Sequence, residues 1–218
     1  MARPKKNFEP KKEALTRLAF DMFIEHGYED TTITHIMKTA GLTKAGMYHY
    51  FSSKEEILDA AIDYGISLDI EKTLEDMDGL DVKDKMLLFI QGNTVQNEFF
   101  RKTLQIKQNN RNSFAAYRIR ERLIHAYIPI MEGILKEGNK TGVYRTEHPR
   151  QTAEFAVLFA KALVEPNILP VANNEDLKLR THMFFQLMHG LLNTSSEHEA
   201  EIAILIENML SAMQMENE

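Results

Sequence analysis

Residues 31–57 read TTITHIMKTAGLTKAGMYHYFSSKEEI, and this stretch decides the fold. Ile33, Ile36, Met37 and Ala40 recur at helical spacing and stop at Gly41; after Leu42 and Thr43 a second short helix covers Lys44 to Tyr50. Glycine takes the positive φ that ends a helix without steric cost. Two short helices joined by a tight glycine-containing turn make a helix-turn-helix. Thr31 or Thr32 is suited to cap the first helix by accepting from a free backbone N–H. Ser53 and Glu56 have the Ser-x-x-Glu spacing of a capping box, which opens a long fourth helix.

Two such short helices cannot bury their own apolar faces and need a third wall. The segment from Pro10 to His26 supplies it, with Leu15, Leu18, Ala19, Met22 and Phe23 on one helical face. Pro10 suits a first turn and Gly27 a stop. Ile33, Ile36, Met37, Leu42, Met47 and Phe51 are expected to close this three-helix core.

In a helix-turn-helix the second helix enters the major groove with its N-terminal residues nearest the base edges. Thr43 and Lys44 stand there. A lysine donates to guanine O6 and N7, and a threonine reaches a phosphate or a thymine methyl. Tyr48, His49, Tyr50 and Lys54 suit backbone contacts, which position a protein without reading sequence. Gly46 is expensive in so short a helix. Either it lets the helix backbone approach DNA closely, or it relieves packing against the preceding helix.

The run from Thr31 to Ile57, with its glycine turn, Thr-Lys start, Tyr48-x-x-Phe51 and Ser53-Lys54-Glu55-Glu56, resembles the TetR (tetracycline-repressor-like) family over about residues 10–60. The family commonly has Gly where this chain has Ala45, Thr or Ser at Gly46 and His at Tyr50; those departures bear on operator sequence. The resemblance implies DNA contacts from Thr43, Lys44, Tyr48, His49 and Lys54, and from Thr34, where some members read a base. It also implies an all-helical C-terminal domain that senses a small molecule and forms a homodimer through a four-helix bundle of two late helices per subunit.

The rest of the chain reads as helices, nine or ten in all: about 53–76, 82–107, 113–137 with Pro129 inside, 149–164, 177–193 and 199–213. Residues 138–142 read as a loop. The fold class is therefore all-α, with a helix-turn-helix DNA-binding domain over 1–54 and a helical ligand-binding and dimerisation domain over 55–218. The stretch from Pro149 to Val164 is apolar on more than one face, and the one from Leu177 to Asn193 carries Met183, Phe184, Leu187, Met188 and Leu191. A wide apolar arc asks for a partner outside the monomer core. The expected dimer contacts are Phe155, Phe159, Leu163, Phe184, Leu187 and Leu191. For the ligand the candidates are Phe89, Gln91, Phe99, Phe100, Tyr117, His125, Tyr127 and Met131, with Phe155 and Phe159 as further members; Phe and Met at these spacings also suit plain core. Pro129 removes a backbone hydrogen bond and is expected to kink its helix.

Charge is divided unevenly. Residues 1–54 carry +3 and the remainder −9 of the net −6, a cationic head on an anionic body. With no cysteine, a disulfide scaffold, a thiolate metal site and a cysteine nucleophile are excluded. Eight histidines are present, but no His-Glu-x-x-His; His182 and His189 are too far apart to share a metal, so no metal or cofactor is expected. A Gly-rich phosphate loop and a Gly-x-Ser-x-Gly elbow are missing too, which sets aside the enzyme reading. A helical adaptor without DNA affinity is the other alternative. The basic start has no apolar core of a secretory signal, and no run of 18 apolar residues occurs, so a cytoplasmic protein without a membrane partner is expected. The expected function is a ligand-responsive dimeric regulator, a repressor of a palindromic operator released by an inducer.

Overall fold

The computed structural model describes residues 8–92, 113–164, 172–192 and 204. The elements described are eight helices: α1 Phe8–His26, α2 Ile33–Thr39, α3 Lys44–Tyr48, α4 Lys54–Asp76, α5 Val82–Gly92, α6 Ser113–Thr141, α7 Pro149–Val164 and α8 Asn174–Leu192. The class is all-α, as expected. Phe99 and Phe100, the continuation of the 82–107 helix and nearly all of 199–213 lie outside the described residues.

Among the described residues, 8–72 and 113–122 belong to one compact unit; 73–92, 123–164, 172–192 and 204 belong to a second. Because α4 and α6 are continuous helices that each contribute to both, no single chain position separates the two.

In the first unit α1 packs on α2, and α2 on α3. Leu15, Ala19, Met22 and Phe23 of α1 are buried with Ile36, Met47 and Phe51, while Leu18, Ile33, Met37 and Leu42 are half-buried. The two threonines before α2 divide their tasks. Thr32 is the N-cap, accepting from His35 N–H at 3.1 Å. Thr31 turns into the core, where its Oγ1 donates to Gly27 O at 2.7 Å and lies 3.3 Å from Met22 O. It thereby gives the Gly27 carbonyl, just past the end of α1, a donor. At the other end of α2, Gly41 has φ +65°, Gly41 N–H donates to Lys38 O and Leu42 N–H to Met37 O. This paired pattern around a left-handed residue is the Schellman motif. Ile57, Leu58, Ala61 and Ile62 of α4, and Ala115 and Ile119 of α6, are also buried in this unit. Arg118 makes a two-pronged pair with Asp59, and Arg122 pairs with Asp59 and Asp63.

The second unit buries Met86 and Phe89 of α5, Leu123, Tyr127, Ile128, Met131, Ile134 and Leu135 of α6, and Ala153, Ala156 and Val157 of α7. Asp81 caps α5 by accepting from the N–H groups of Lys83 and Asp84. α6 runs on through Pro129 and does not stop at Gly138: the expected loop over 138–142 is helical through Thr141. The reason is tertiary. Tyr144 is fully buried, and its ring lies where a Cβ on residue 138 would be, 1.9 Å from Tyr144 Cδ2. Glycine is there for space, in a helical conformation. Tyr144 N–H donates to Gly138 O, and Asn139 exchanges two hydrogen bonds with the Thr146 backbone. α7 and α8 pack together, and Asn173 Oδ1 accepts from Asp176 N–H, so α8 starts three residues earlier than its apolar pattern.

Candidate nucleic-acid interface

The second short helix, α3, is set by its own ends. Thr43 is the N-cap, its hydroxyl oxygen accepting from Gly46 N–H at 3.2 Å. That contact leaves the Thr43 O–H free to donate outward. A Cβ on Gly46 would come within 3.3 Å of Thr43 Oγ1 and 3.7 Å of Leu42 Cδ2. The glycine thus gives room to the cap and to the turn residue. Met47 is fully buried and fixes the inner face of α3.

The outer face presents Thr43, Lys44, Ala45, Tyr48 and His49, all exposed, with Tyr48 48 % exposed. Tyr50 is half-buried, with its ring against His49 at a centroid distance of 5.3 Å. Thr34 is exposed on α2. Next to it, the His35 ring stacks on His26 with centroids 5.5 Å apart. A hydroxyl cap, an ammonium, a methyl, a phenol and an imidazole thus share one solvent-facing surface on a rigid helix.

Lys54 is held more tightly than the others. Its Nζ donates to Glu29 O at 3.2 Å and lies 4.2 Å from the centre of the Tyr28 ring. Burial lowers its pKa from the ordinary lysine value, against the opposing pull of Glu29, Glu55 and Asp30. Burial likewise pushes the Tyr28 phenol up to about 12, helped by Glu55, Glu29 and Asp59. The predicted capping box forms in altered shape. Ser53 Oγ accepts from Glu56 N–H at 3.1 Å, but Glu56 Oε2 reaches the N–H and hydroxyl of Ser52, at 2.7 and 2.6 Å, rather than the N–H of Ser53. Those two donors hold the Glu56 carboxyl below the usual carboxylate range.

The remaining candidates fall into three environments. Phe89, Tyr127 and Met131 are buried together in the second unit, with the Phe89 and Tyr127 rings edge to face at 5.8 Å. His125 is exposed, and Tyr117 is exposed in the first unit; the side chain of Gln91 lies outside the described residues. Phe155 and Phe159 are exposed on α7, stacked at 6.3 Å, together with Leu158. Leu179, Met183, Leu187 and Leu191 are exposed on α8, whereas Leu163 and Phe184 are half-buried. One group was not singled out from sequence: Lys161, buried on the inner side of α7. Its signal was spacing, four residues after Val157 and eight after Ala153. No helix among the described residues is long and apolar enough to cross a membrane, and none of those residues form a metal-binding group of three.

The sequence model described as bacterial regulatory proteins, tetR family, matches residues 15–61, the span from α1 into α4. The fatty acid metabolism regulator protein of Bacillus subtilis (strain 168) is 28 % identical over 143 residues, covering 63 % of this chain and 72 % of that relative. The transcriptional repressor KstR2 of Mycobacterium tuberculosis (strain CDC 1551 / Oshkosh) is 44 % identical over 45 residues, covering 21 % of this chain and 22 % of that protein. Among solved structures, a TetR-family transcriptional regulator from Pectobacterium atrosepticum shares the fold with a TM-score of 0.58 at 18 % identity, covering 87 % of this chain and 98 % of that one. FadR of Bacillus subtilis, solved in complex with stearoyl-CoA, does so with a TM-score of 0.53 at 23 % identity, covering 81 % and 97 %. The helix-turn-helix, the all-helical fold and these relatives converge: over residues 15–61 the chain carries the helix-turn-helix of the TetR family of bacterial regulatory proteins, the element through which such regulators bind DNA.

Proposed function

We propose that this protein is a dimeric, ligand-responsive repressor that binds a palindromic operator and is released by a small-molecule inducer. One observation carries the reading: Thr43, Lys44, Tyr48 and His49 are exposed together on a short helix whose ends and inner face are fixed from within. In this reading Lys44 reads a guanine edge, Thr43 meets phosphate or a thymine methyl, Thr34 stands where a base can be read, and Tyr48, His49, Tyr50 and Lys54 position the backbone. Residues 1–54 act as the DNA-binding domain, 55–218 as the sensor and dimerisation domain. The name of the KstR2 relative supports repression.

Dimerisation is supported by the exposed apolar rows of α7 and α8, with Phe155 and Phe159 on one and Leu187 and Leu191 on the other. Large apolar side chains grouped in this way mark an interaction surface. A two-fold pair would present its α3 helices to successive major grooves about 34–36 Å apart. Ligand favours a dimer with another spacing, and α4, which follows directly on the reading helices, carries the change. A coupling of about 1–3 kcal/mol corresponds to roughly 5–150-fold in operator affinity.

The test is fluorescence anisotropy on the intergenic duplex upstream of the gene, at two salt concentrations. Lys44→Ala is expected to cost about 1–3 kcal/mol of specific affinity. Leu187→Asp is expected to give a monomer by light scattering and to weaken operator binding with it. Unchanged operator affinity in Lys44→Ala refutes the assignment of the reading helix.

A further inference from the structure

We propose that Tyr28 is a positioning residue for DNA binding: the face of its ring holds the Lys54 ammonium where it meets a phosphate. The proposal rests on the reading above, in which Lys54 contacts the DNA backbone. Tyr28 stands just past the end of α1, and Lys54 opens α4. Lys54 Nζ lies 4.2 Å from the centre of the Tyr28 ring and donates to the carbonyl of the following residue, Glu29, at 3.2 Å. Helix α4 does not favour this placement, because a cation in a first turn faces the positive end of the helix dipole. The ring and the carbonyl do, the first by attracting a cation to its face and the second by accepting from it. An ammonium has three N–H donors. Glu29 O takes one, and Lys54 is only half-buried, so the head group is still open to a phosphate.

The ring is itself fixed. Tyr28 is buried, its hydroxyl bonds to the Glu55 carboxylate, and the Phe23 and Phe114 rings lie against it with centroids at 5.5 and 6.1 Å. Helices α1, α4 and α6 of the first unit thus brace one aromatic side chain under one lysine. Ordering an unsupported lysine stem at a phosphate lowers affinity by up to about 30-fold, the whole of its rotamer entropy. A lysine already seated on a fixed ring loses much less of that freedom on contact. Packing explains why Tyr28 is apolar and inside; the seat it offers to Lys54 explains the aromatic face.

The experiment measures binding by the full chain with anisotropy, on the upstream duplex and on an unrelated one. The variants are Tyr28→Leu, Tyr28→Phe, Lys54→Ala and the combination of Tyr28→Leu with Lys54→Ala. Lys54→Ala is expected to weaken both duplexes alike and to flatten the slope of log affinity against log salt by about 0.9, the share of one phosphate. Tyr28→Leu is expected to lose about 3–30-fold on both, and Tyr28→Phe, which keeps the ring face, to stay near wild type. The double variant should bind as Lys54→Ala does, since two residues acting through one contact are not additive. Equal losses from Tyr28→Leu with and without Lys54, or a Tyr28→Phe variant as weak as Tyr28→Leu, overturn the proposal. Should Tyr28→Leu fail to fold, NMR of the wild type decides: Lys54 Hε resonances shifted upfield by the ring in the free chain, and perturbed by either duplex, support it, and unshifted resonances overturn it. If Lys54→Ala changes neither affinity nor slope while Lys44→Ala weakens the upstream duplex, the positioning role fails and the regulator reading stands. If Lys44→Ala changes nothing either, the assignment of the reading helix fails as well.

Discussion

Gly138→Ala tests the internal geometry of the second unit at one atom. In an exposed helix the change should stabilise by about 1 kcal/mol, because alanine is the better helix former. Here the new methyl would start 1.9 Å from Tyr144 Cδ2, 2.8 Å from Cγ and 2.9 Å from Cε2. Carbon atoms in contact sit about 3.5–4.0 Å apart, so the ring must retreat by about 1.5 Å or more. Tyr144 is fully buried and its backbone is tied to Gly138 O, which leaves little room for a small adjustment. Overpacking costs about 1–3 kcal/mol, and losing much of the ring's burial costs more. The expected net is a loss of about 1–4 kcal/mol, read by urea denaturation of the full chain. The second arm is a double-mutant cycle. Tyr144→Ala should itself cost about 3–5 kcal/mol. In that background Gly138→Ala should change sign and stabilise by up to about 1 kcal/mol. Neutral or stabilising behaviour of Gly138→Ala in the wild-type background refutes the reasoning.

Thr31→Val keeps the shape of the side chain and removes the donor that serves the end of α1. The melting temperature should fall by the equivalent of about 1–3 kcal/mol, the cost of leaving a buried acceptor unmet; an unchanged melting temperature means that water takes over the role. Glu56→Gln removes a carboxylate whose folded-state pKa is depressed by Ser52. Such a group contributes its full stability above the ordinary carboxylate pKa and loses it as pH falls through the lower folded value. The wild type should therefore lose a small increment of stability below about pH 4.5 that Glu56→Gln does not, checked by melting curves from pH 3 to 7. Met47→Ala should cost about 2–5 kcal/mol through the cavity it leaves under the reading helix, with operator binding lost in proportion to unfolding.

Most of the first unit was legible because its signals are local. Gly41, the Ile33 and Ile36 spacing and the capping threonines act within a few residues, and the structure uses each where the pattern put it. Even there, sequence could not divide the work between Thr31 and Thr32, since only packing on α1 decides which hydroxyl turns inward. Lys54 reads as a solvent-facing charge, but its partner Glu29 is 25 residues away in the chain. Gly138 reads as a helix stop until Tyr144 folds onto it. Lys161 was hidden for the opposite reason: a lysine in an apolar helix looks like part of its wet side. The two compact units also overlap along the chain, since α4 and α6 each serve both.

The bonds that close α2 and α3 all come from within residues 22–51, and none waits for DNA. A reader built in this way is already in its docking shape while it diffuses. Association then need not order the helix that touches the bases, and the entropy loss is confined to exposed side chains such as Lys44 and Tyr48. In the proposed regulator, control would be directed away from the reader's own folding. In the proposed dimer an effector would act by choosing where two finished probes point, and operator release would be fast and fully reversible, with no refolding step between the silent and the engaged state.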